Sequence, residues 1–235
     1  MKLKPEHPAL AERRTIHTKK VFSVNTYSNS VIKPVSNNSK LGKGSNIITK
    51  GNWRGFAVFA VTLEERASCP PCEHEDDCYG NNAPFAHRFR SGKDLESRIQ
   101  TEIAFLAKRY RFGFVVRLHI LGDFYNLRYV ALWQSLLKKH VNLHIYGYTA
   151  HDRNSVMGLR ISLLNSCPGN RCWIRNSVAR SNGYSMVATS ILSESDIHCP
   201  EQTGKTDSCM TCGLCWAVNL PIHFATHKRK KEVTT

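Results

Sequence analysis

The chain has 235 residues, 41% of them hydrophobic, which allows one sizeable domain or two small ones. It has neither an apolar run long enough to cross a bilayer nor the apolar stretch of a secretory signal, and its nine cysteines are an odd number. These features favour a cytoplasmic protein over a secreted or membrane protein. The formal net charge of +15 predicts a polyanionic partner, above all nucleic acid.

Hydrophobic periodicity predicts three regions. Residues 1–50 are rich in Lys, Asn and Ser and predict an extended basic arm, residues 51–198 an α/β catalytic core, and residues 199–235 a cysteine-rich metal-binding segment with a basic tail. The core contains strand patterns at 56–61, 115–121, 143–149, 159–164 and 184–189, and helix patterns at 94–110 and 129–140.

Strands that alternate with helices predict (βα) repeats around a mainly parallel sheet. We therefore expect a TIM-barrel-like or incomplete barrel with cysteine-rich metal-binding loops. In either form, functional residues are expected at the carboxyl ends of the strands.

The strongest local signal is the C-terminal cassette, defined here as Cys199, Cys209, Cys212 and Cys215. Such spacing is typical of thiolate metal sites and predicts bound zinc, or else a [4Fe-4S] cluster. His223 is an alternative to Cys199 as the fourth ligand.

A second group, Cys69, Cys72 and Cys78, lies in a proline-containing loop and predicts a three-thiolate site. The candidates for the fourth ligand are His74, Asp77, Cys167 and an external molecule such as S-adenosylmethionine bound to a cluster iron. Cys167 and Cys172 are either further ligands or core thiols.

Catalytic candidates follow the predicted strand at 115–121. Its alternation places Arg117 and His119 on one face, with Asp123 just beyond the strand end. Asp123 can act as a general base, as a nucleophile, or as a hydrogen-bond acceptor from a bound nucleobase. Alternatively, it can cap the next helix.

Aromatic residues and a histidine flank this position. Tyr146, Tyr148 and Phe124 offer stacking faces for a base, and His151 can move a proton, although an aromatic core explains the tyrosines equally well.

Several of these motifs occur in an order that resembles the phage and plasmid "gene product 88" family. They are the arm at 38–42, the cysteine loop at 69–79, Arg117 to Phe124, the segment 146–149 and the cassette at 199–216. The resemblance covers about residues 38–227 and implies a role in phage or plasmid biology, in the host cytoplasm if a phage encodes the chain.

A more distant resemblance is to barrel enzymes that exchange guanine for a 7-deazaguanine in nucleic acid, including phage versions that act on DNA. It implies a nucleophilic aspartate, a role that Asp123 would fill, and a structural zinc site, which the cassette would form. The cysteine spacing departs from that family, and the loop at 69–78 has no counterpart there.

The leading hypothesis is therefore a DNA-modifying metalloenzyme, most concretely a transglycosylase that inserts a 7-deazaguanine base. Arg117 would orient a phosphate or base edge, and His119 or His151 would handle protons. The alternatives are an iron–sulfur, radical S-adenosylmethionine-like enzyme acting on nucleic acid, and a non-catalytic zinc protein that binds nucleic acid.

Overall fold

The computed structural model describes residues 22–24, 30–72, 78, 80, 87–179, 186–189 and 197–224. Ten strands lie in this part of the chain: β1 (Phe22–Val24), β2 (Lys33–Pro34), β3 (Ala57–Ala60), β4 (His87–Phe89), β5 (Phe114–Leu118), β6 (Leu143–Thr149), β7 (Cys172–Ala179), β8 (Met186–Thr189), β9 (Ile197–His198) and β10 (Ile222–Phe224). Five α-helices accompany them: α1 (Glu65–Ser68), α2 (Lys93–Arg109), α3 (Leu127–Lys139), α4 (Val156–Ser162) and α5 (Cys209–Cys212).

An eight-stranded sheet organises the molecule, in the order β2-β3-β5-β6-β7-β8-β10-β9. Its central strands β3, β5, β6 and β7 are parallel to one another, and β9 and β10 are also parallel. Strands β2 and β8 run antiparallel to their neighbours. The mixed α/β class and the parallel centre predicted from the sequence are confirmed.

The described sheet is open, with β2 and β9 at its two edges, so the closed form among the two expected architectures is not seen in this part of the chain. The physical reason lies after β7. A barrel needs a helical crossover to a further parallel strand, whereas β7 is followed by the antiparallel β8.

No helix of the described residues is long and apolar enough to cross a membrane.

The strand expected at 159–164 is wrong, because these residues belong to α4 and a following 3₁₀ turn, Leu163–Ser166. The buried positions are Gly158, Ile161 and Leu164, a spacing that suits a helix rather than a strand. The hydroxyl of Ser155 accepts a hydrogen bond from the Gly158 amide at 3.0 Å and caps the helix.

Both faces of the sheet are covered. On the helix face, α2, α3 and α4 pack against strand residues such as Val116, Leu118 and Ile145. On the opposite face, which we call the cassette face, Val115 and Tyr146 pack against parts of the segments 35–53 and 209–216. The sheet therefore lies between a helical layer and a layer of irregular segments that holds the cassette.

Residues 31–34 of the predicted basic arm enter the helix-face core and form β2, and residues 35–50 mainly form turns on the cassette face. The rest of the arm lies outside the described residues apart from β1 and Ser30. Backbone hydrogen bonds tie the arm to the cassette: the Cys209 amide donates to the Lys40 carbonyl at 3.0 Å, and the Thr49 amide donates to the Met210 carbonyl at 3.0 Å. Two segments far apart in sequence thus fold as one layer.

Candidate functional site

Asp123 lies in the loop between β5 and α3, at the carboxyl end of the parallel sheet, as the sequence predicted. Its Oδ1 accepts a hydrogen bond from the Phe124 amide at 2.7 Å, and its Oδ2 accepts one from the Ala150 amide at 2.7 Å. The carboxylate therefore ties the loop after β5 to the end of β6. Burial raises the pKa of Asp123, although these amides and His151 act in the opposite direction.

Cys69 of the first cysteine group lies near the same carboxylate. Burial raises the pKa of the Cys69 thiol well above its ordinary value, and Asp123, Cys78, Glu65 and Cys72 raise it further through their nearby charges. We call this cluster, together with His151, the strand-end site.

Helix α1 positions Cys69, which follows its last residue. Glu65 of this helix pairs with the buried Arg88 of β4, with 2.7 Å between Oε2 and Nε, and Arg88 also donates to the Gly80 carbonyl at 3.0 Å. This ion pair anchors both ends of the cysteine loop. Glu65 and Arg88 were not predicted from the sequence, because their pairing depends on β4, a strand that was not predicted either.

His151 lies beside Asp123, as expected from the neighbouring strand ends. Its Nε2 donates to the Phe124 carbonyl at 2.7 Å, and its carbonyl accepts from Nδ2 of Asn176 at 2.7 Å. The ring is thereby fixed in orientation and remains partly accessible.

Two predicted site residues lie elsewhere, in the core of the helix face. Phe124 is fully buried, and Nε2 of His119 lies 3.1 Å from the Tyr129 hydroxyl. Strand β5 ends at Leu118, so the alternation that would place His119 beside Arg117 does not continue to His119. Burial, and then the Arg117 charge, lowers the pKa of His119 to about 3, so its ring is neutral at pH 7.

The C-terminal cassette is a compact turn. Cys199 follows the edge strand β9, and its amide donates to the His223 carbonyl at 2.8 Å. Cys209 and Cys212 lie on α5, and Gly213, whose φ of 73° is readily adopted only without a side chain, turns the chain toward Cys215.

The four cassette thiols are close enough to influence one another. Burial raises the pKa of Cys209 to about 12 and also raises those of Cys212 and Cys215, and the Cys199 thiol raises all three further. Cys199 therefore lies with the other three thiols of the cassette.

Arg117, Tyr146 and Tyr148 face this cassette rather than the strand-end site. The Arg117 guanidinium lies 5.5 Å from the centre of the Tyr148 ring, and the Tyr148 hydroxyl donates to Sγ of Cys215 at 2.8 Å. Tyr146 packs on Trp216 with 4.7 Å between ring centres. Three of the four predicted substrate-binding residues thus lie at the cassette, and the fourth, Phe124, lies in the helix-face core.

Arg175 of β7 is a further residue at the cassette, and it was not predicted from the sequence. Its Nε donates to the Cys215 carbonyl at 2.8 Å, and its Nη1 donates to the Leu220 carbonyl at 2.9 Å. The signal was hidden because β7 mixes polar and apolar residues without regular alternation.

All nine cysteines are described, each with a reduced thiol. Within the described residues, no three His, Cys, Asp or Glu side chains already stand in a geometry that holds a metal ion, so the expected metal-binding loops are not supported as pre-formed sites. Cys172 is buried in the helix-face core beside Cys167, away from both groups. His74 and Asp77 lie outside the described residues.

No protein-family model, curated protein or solved structure matches this chain.

Proposed function

We propose that this chain is a metal-dependent enzyme that modifies nucleic acid, with its reaction centre at the strand-end site. One observation carries the proposal: the largely buried thiol of Cys69 lies within electrostatic reach of Asp123, Cys78, Glu65 and Cys72, all of which become negative when ionised. Buried groups of one sign repel each other, and a thiolate-binding cation removes that repulsion.

The residues present suit a metal of this kind. Cys69, Cys72 and Cys78 supply three thiolates, which leave a coordination position for a substrate or cofactor. An iron–sulfur cluster with an open iron would supply one-electron chemistry with S-adenosylmethionine, and zinc would supply an activated water. Asp123 and His151 would orient the substrate beside the metal, because both lie at the same strand ends.

Nucleic acid is the substrate class that the charge favours. Besides the net charge of +15, Arg153 follows β6 at the same end of the sheet as Asp123 and is exposed. An exposed arginine there is placed to contact a phosphate while a base reaches the strand-end site. The reducing cytoplasm would keep the thiols available for metal.

Base exchange, with zinc in the cassette and a 7-deazaguanine as the incoming base, is the second candidate. The position of Asp123 at a central strand end favours it. In that reaction Asp123 would attack the sugar carbon or hold the flipped base. Both of its carboxylate oxygens, however, accept backbone hydrogen bonds, and its side chain is almost fully buried. These contacts suit a positioning role better than a nucleophile.

The deciding experiment compares wild type with Cys72→Ser, Asp123→Asn and a control, Cys167→Ser, whose thiol lies outside both groups. Each protein is purified without oxygen, its zinc, iron and acid-labile sulfide are measured, and nucleosides from DNA and RNA of expressing cells are examined by mass spectrometry. We expect a modified nucleoside with wild type and Cys167→Ser, and loss of both metal and product with Cys72→Ser.

A folded Cys72→Ser protein that forms as much product as wild type would refute the metal-centred reaction. If Asp123→Asn alone abolished the product in that situation, base exchange would become the leading function.

A further inference from the structure

The cassette face holds buried hydrogen-bond donors that have no acceptor. Nε of Arg117 and Nε1 of Trp216 are buried and lack a hydrogen-bond partner among the described residues. The hydroxyl of Tyr146 is also buried; it lies against Arg117 but has no acceptor for its own proton among these residues. Each such orphaned group destabilises the folded state, and more so when it is charged. Buried donors of this kind call for an explanation, and a bound ion or acceptor group supplies one.

All three donors lie around the same cysteines. The charges of Cys209 and Cys215 act on both Arg117 and Tyr146, so the two side chains are close to these thiols. Trp216 directly follows Cys215, and its Nε1 lies 3.7 Å from the position that a Cβ on Gly213 would take. The Tyr148 hydroxyl already donates to Sγ of Cys215.

The charge of Arg117 is also uncompensated on this face. No carboxylate among the described residues forms a salt bridge with it, and the groups that act on its charge are phenols and thiols. A largely buried guanidinium without an anion is unfavourable, and ionised thiols are the anions within reach.

We propose that the cassette binds a metal centre through the thiolates of Cys199, Cys209, Cys212 and Cys215, with Arg117 as its buried counter-ion. Four thiolates around zinc, or around an oxidised [4Fe-4S] core, leave about two net negative charges. Arg117 compensates part of this charge, and Tyr146, Tyr148 and Trp216 donate hydrogen bonds to sulfur. Such outer contacts orient ligands and tune a metal centre.

This centre is separate from the strand-end site, and the inference does not depend on the proposed reaction. The thiols must rotate toward a common point on binding, because no three potential ligands among the described residues already form a shell. Their neighbouring positions on β9, α5 and the turn at Gly213 make this a movement of side chains rather than of the sheet.

The test uses the full chain with Cys69, Cys72 and Cys78 replaced by serine, so that only the cassette can bind metal. We expect about one zinc, or one cluster after anaerobic addition of iron and sulfide, and loss of either on adding Cys209→Ser. The measurements with zinc and with iron and sulfide distinguish the two forms of the centre.

Arg117 is tested in the same background by Arg117→Leu and Arg117→Lys, with the exposed Arg160→Leu as the control. If zinc binds, Arg117→Leu should lower the affinity by about 10–100-fold in competition with a chelator. If a cluster forms, its reduction potential should become more negative, because a positive charge that favours the reduced state is removed. Arg117→Lys should retain most of the wild-type value.

Three outcomes would overturn the inference. They are the absence of zinc and cluster from the serine background, retention of metal by Cys209→Ser, and equal affinity or potential in Arg117→Leu and Arg160→Leu. If the Cys209→Ser variant does not fold, the comparison of Arg117→Leu with Arg160→Leu decides. Circular dichroism then confirms that both of these variants are folded.

Discussion

His119 illustrates how burial changes the chemistry of one residue. Its ring lies between Phe124 and Tyr129 in the helix-face core, and burial is the main cause that lowers its pKa from 6.5 to about 3. The folded protein therefore holds the ring neutral, whereas the unfolded chain takes up a proton below about pH 6.5. Stability from this group is complete above that pH and is lost progressively as the pH falls toward 3.

Replacing His119 should remove part of this acid sensitivity. One proton taken up on unfolding lowers the free energy of unfolding by about 1.4 kcal/mol per pH unit. We expect His119→Gln to be less stable than wild type at pH 7 but to lose less stability between pH 6 and pH 4.5, as measured by urea unfolding. His144, whose pKa burial lowers to about 4, remains in both proteins. If the free energies of unfolding of wild type and His119→Gln changed equally with pH, this assignment would be contradicted.

Asp123 should contribute to stability independently of any reaction. Asp123→Asn keeps one oxygen acceptor but turns an NH₂ group toward one of the two backbone amides that the carboxylate satisfies. We expect a loss of about 1–3 kcal/mol in the free energy of unfolding at pH 7. Unchanged denaturant midpoints would show that the carboxylate does not hold the two strand ends together.

Among the elements, the short helix α1 depends most on one contact. The Glu65–Arg88 pair joins α1 to β4, and the side-chain exposure of these residues is only 8% and 0%. Removing one partner of a buried pair leaves a charge without compensation, which is much more costly than losing an exposed pair.

We therefore expect Arg88→Met to destabilise the protein by about 3–5 kcal/mol and to lower Tm by roughly 2–4 °C for each kcal/mol. The control is Arg98→Met, which removes an ion pair to Glu102 from a side chain that is 41% exposed and should cost about 1 kcal/mol or less. Thermal unfolding of the two variants checks this, and equal melting temperatures would contradict it.

The whole molecule carries a strong positive charge, which governs how it meets a polyanion. The excess of Lys and Arg gives +15, and exposed members such as Arg153 and Arg160 lie near the carboxyl end of the sheet. Each phosphate neutralised by such a residue releases counterions, so the affinity for nucleic acid falls as salt rises.

We expect binding to DNA or RNA with a slope of log affinity against log salt of about −0.9 for each phosphate contacted on a duplex. Arg153→Gln should make this slope about one unit less negative. Arg54→Gln serves as the control, because Arg54 lies in the layer on the cassette face. Fluorescence anisotropy at several salt concentrations measures both. Binding that does not respond to salt would exclude this charge-based interface.

The local elements were largely predictable because their periodicity is strong. The strand at 143–149 and the helices near 94–110 and 129–140 agree with β6, α2 and α3. Predictions failed where tertiary contacts decided: Ile161 and Leu164 are buried in the helix-face core as part of a helix and a 3₁₀ turn, and β7 is stabilised by pairing with β6 and β8 although its own pattern is weak.

The sequence by itself determined the α/β class, the position of Asp123 at a strand end and the two cysteine groups, because these depend on periodicity and spacing. Only the tertiary structure decided which groups meet. It places Cys69 beside Asp123 and Glu65, and it places Arg117 and Tyr148 beside Cys215. The two faces of a strand lead to different layers, and pairing across long sequence distances leaves no local signal in the chain.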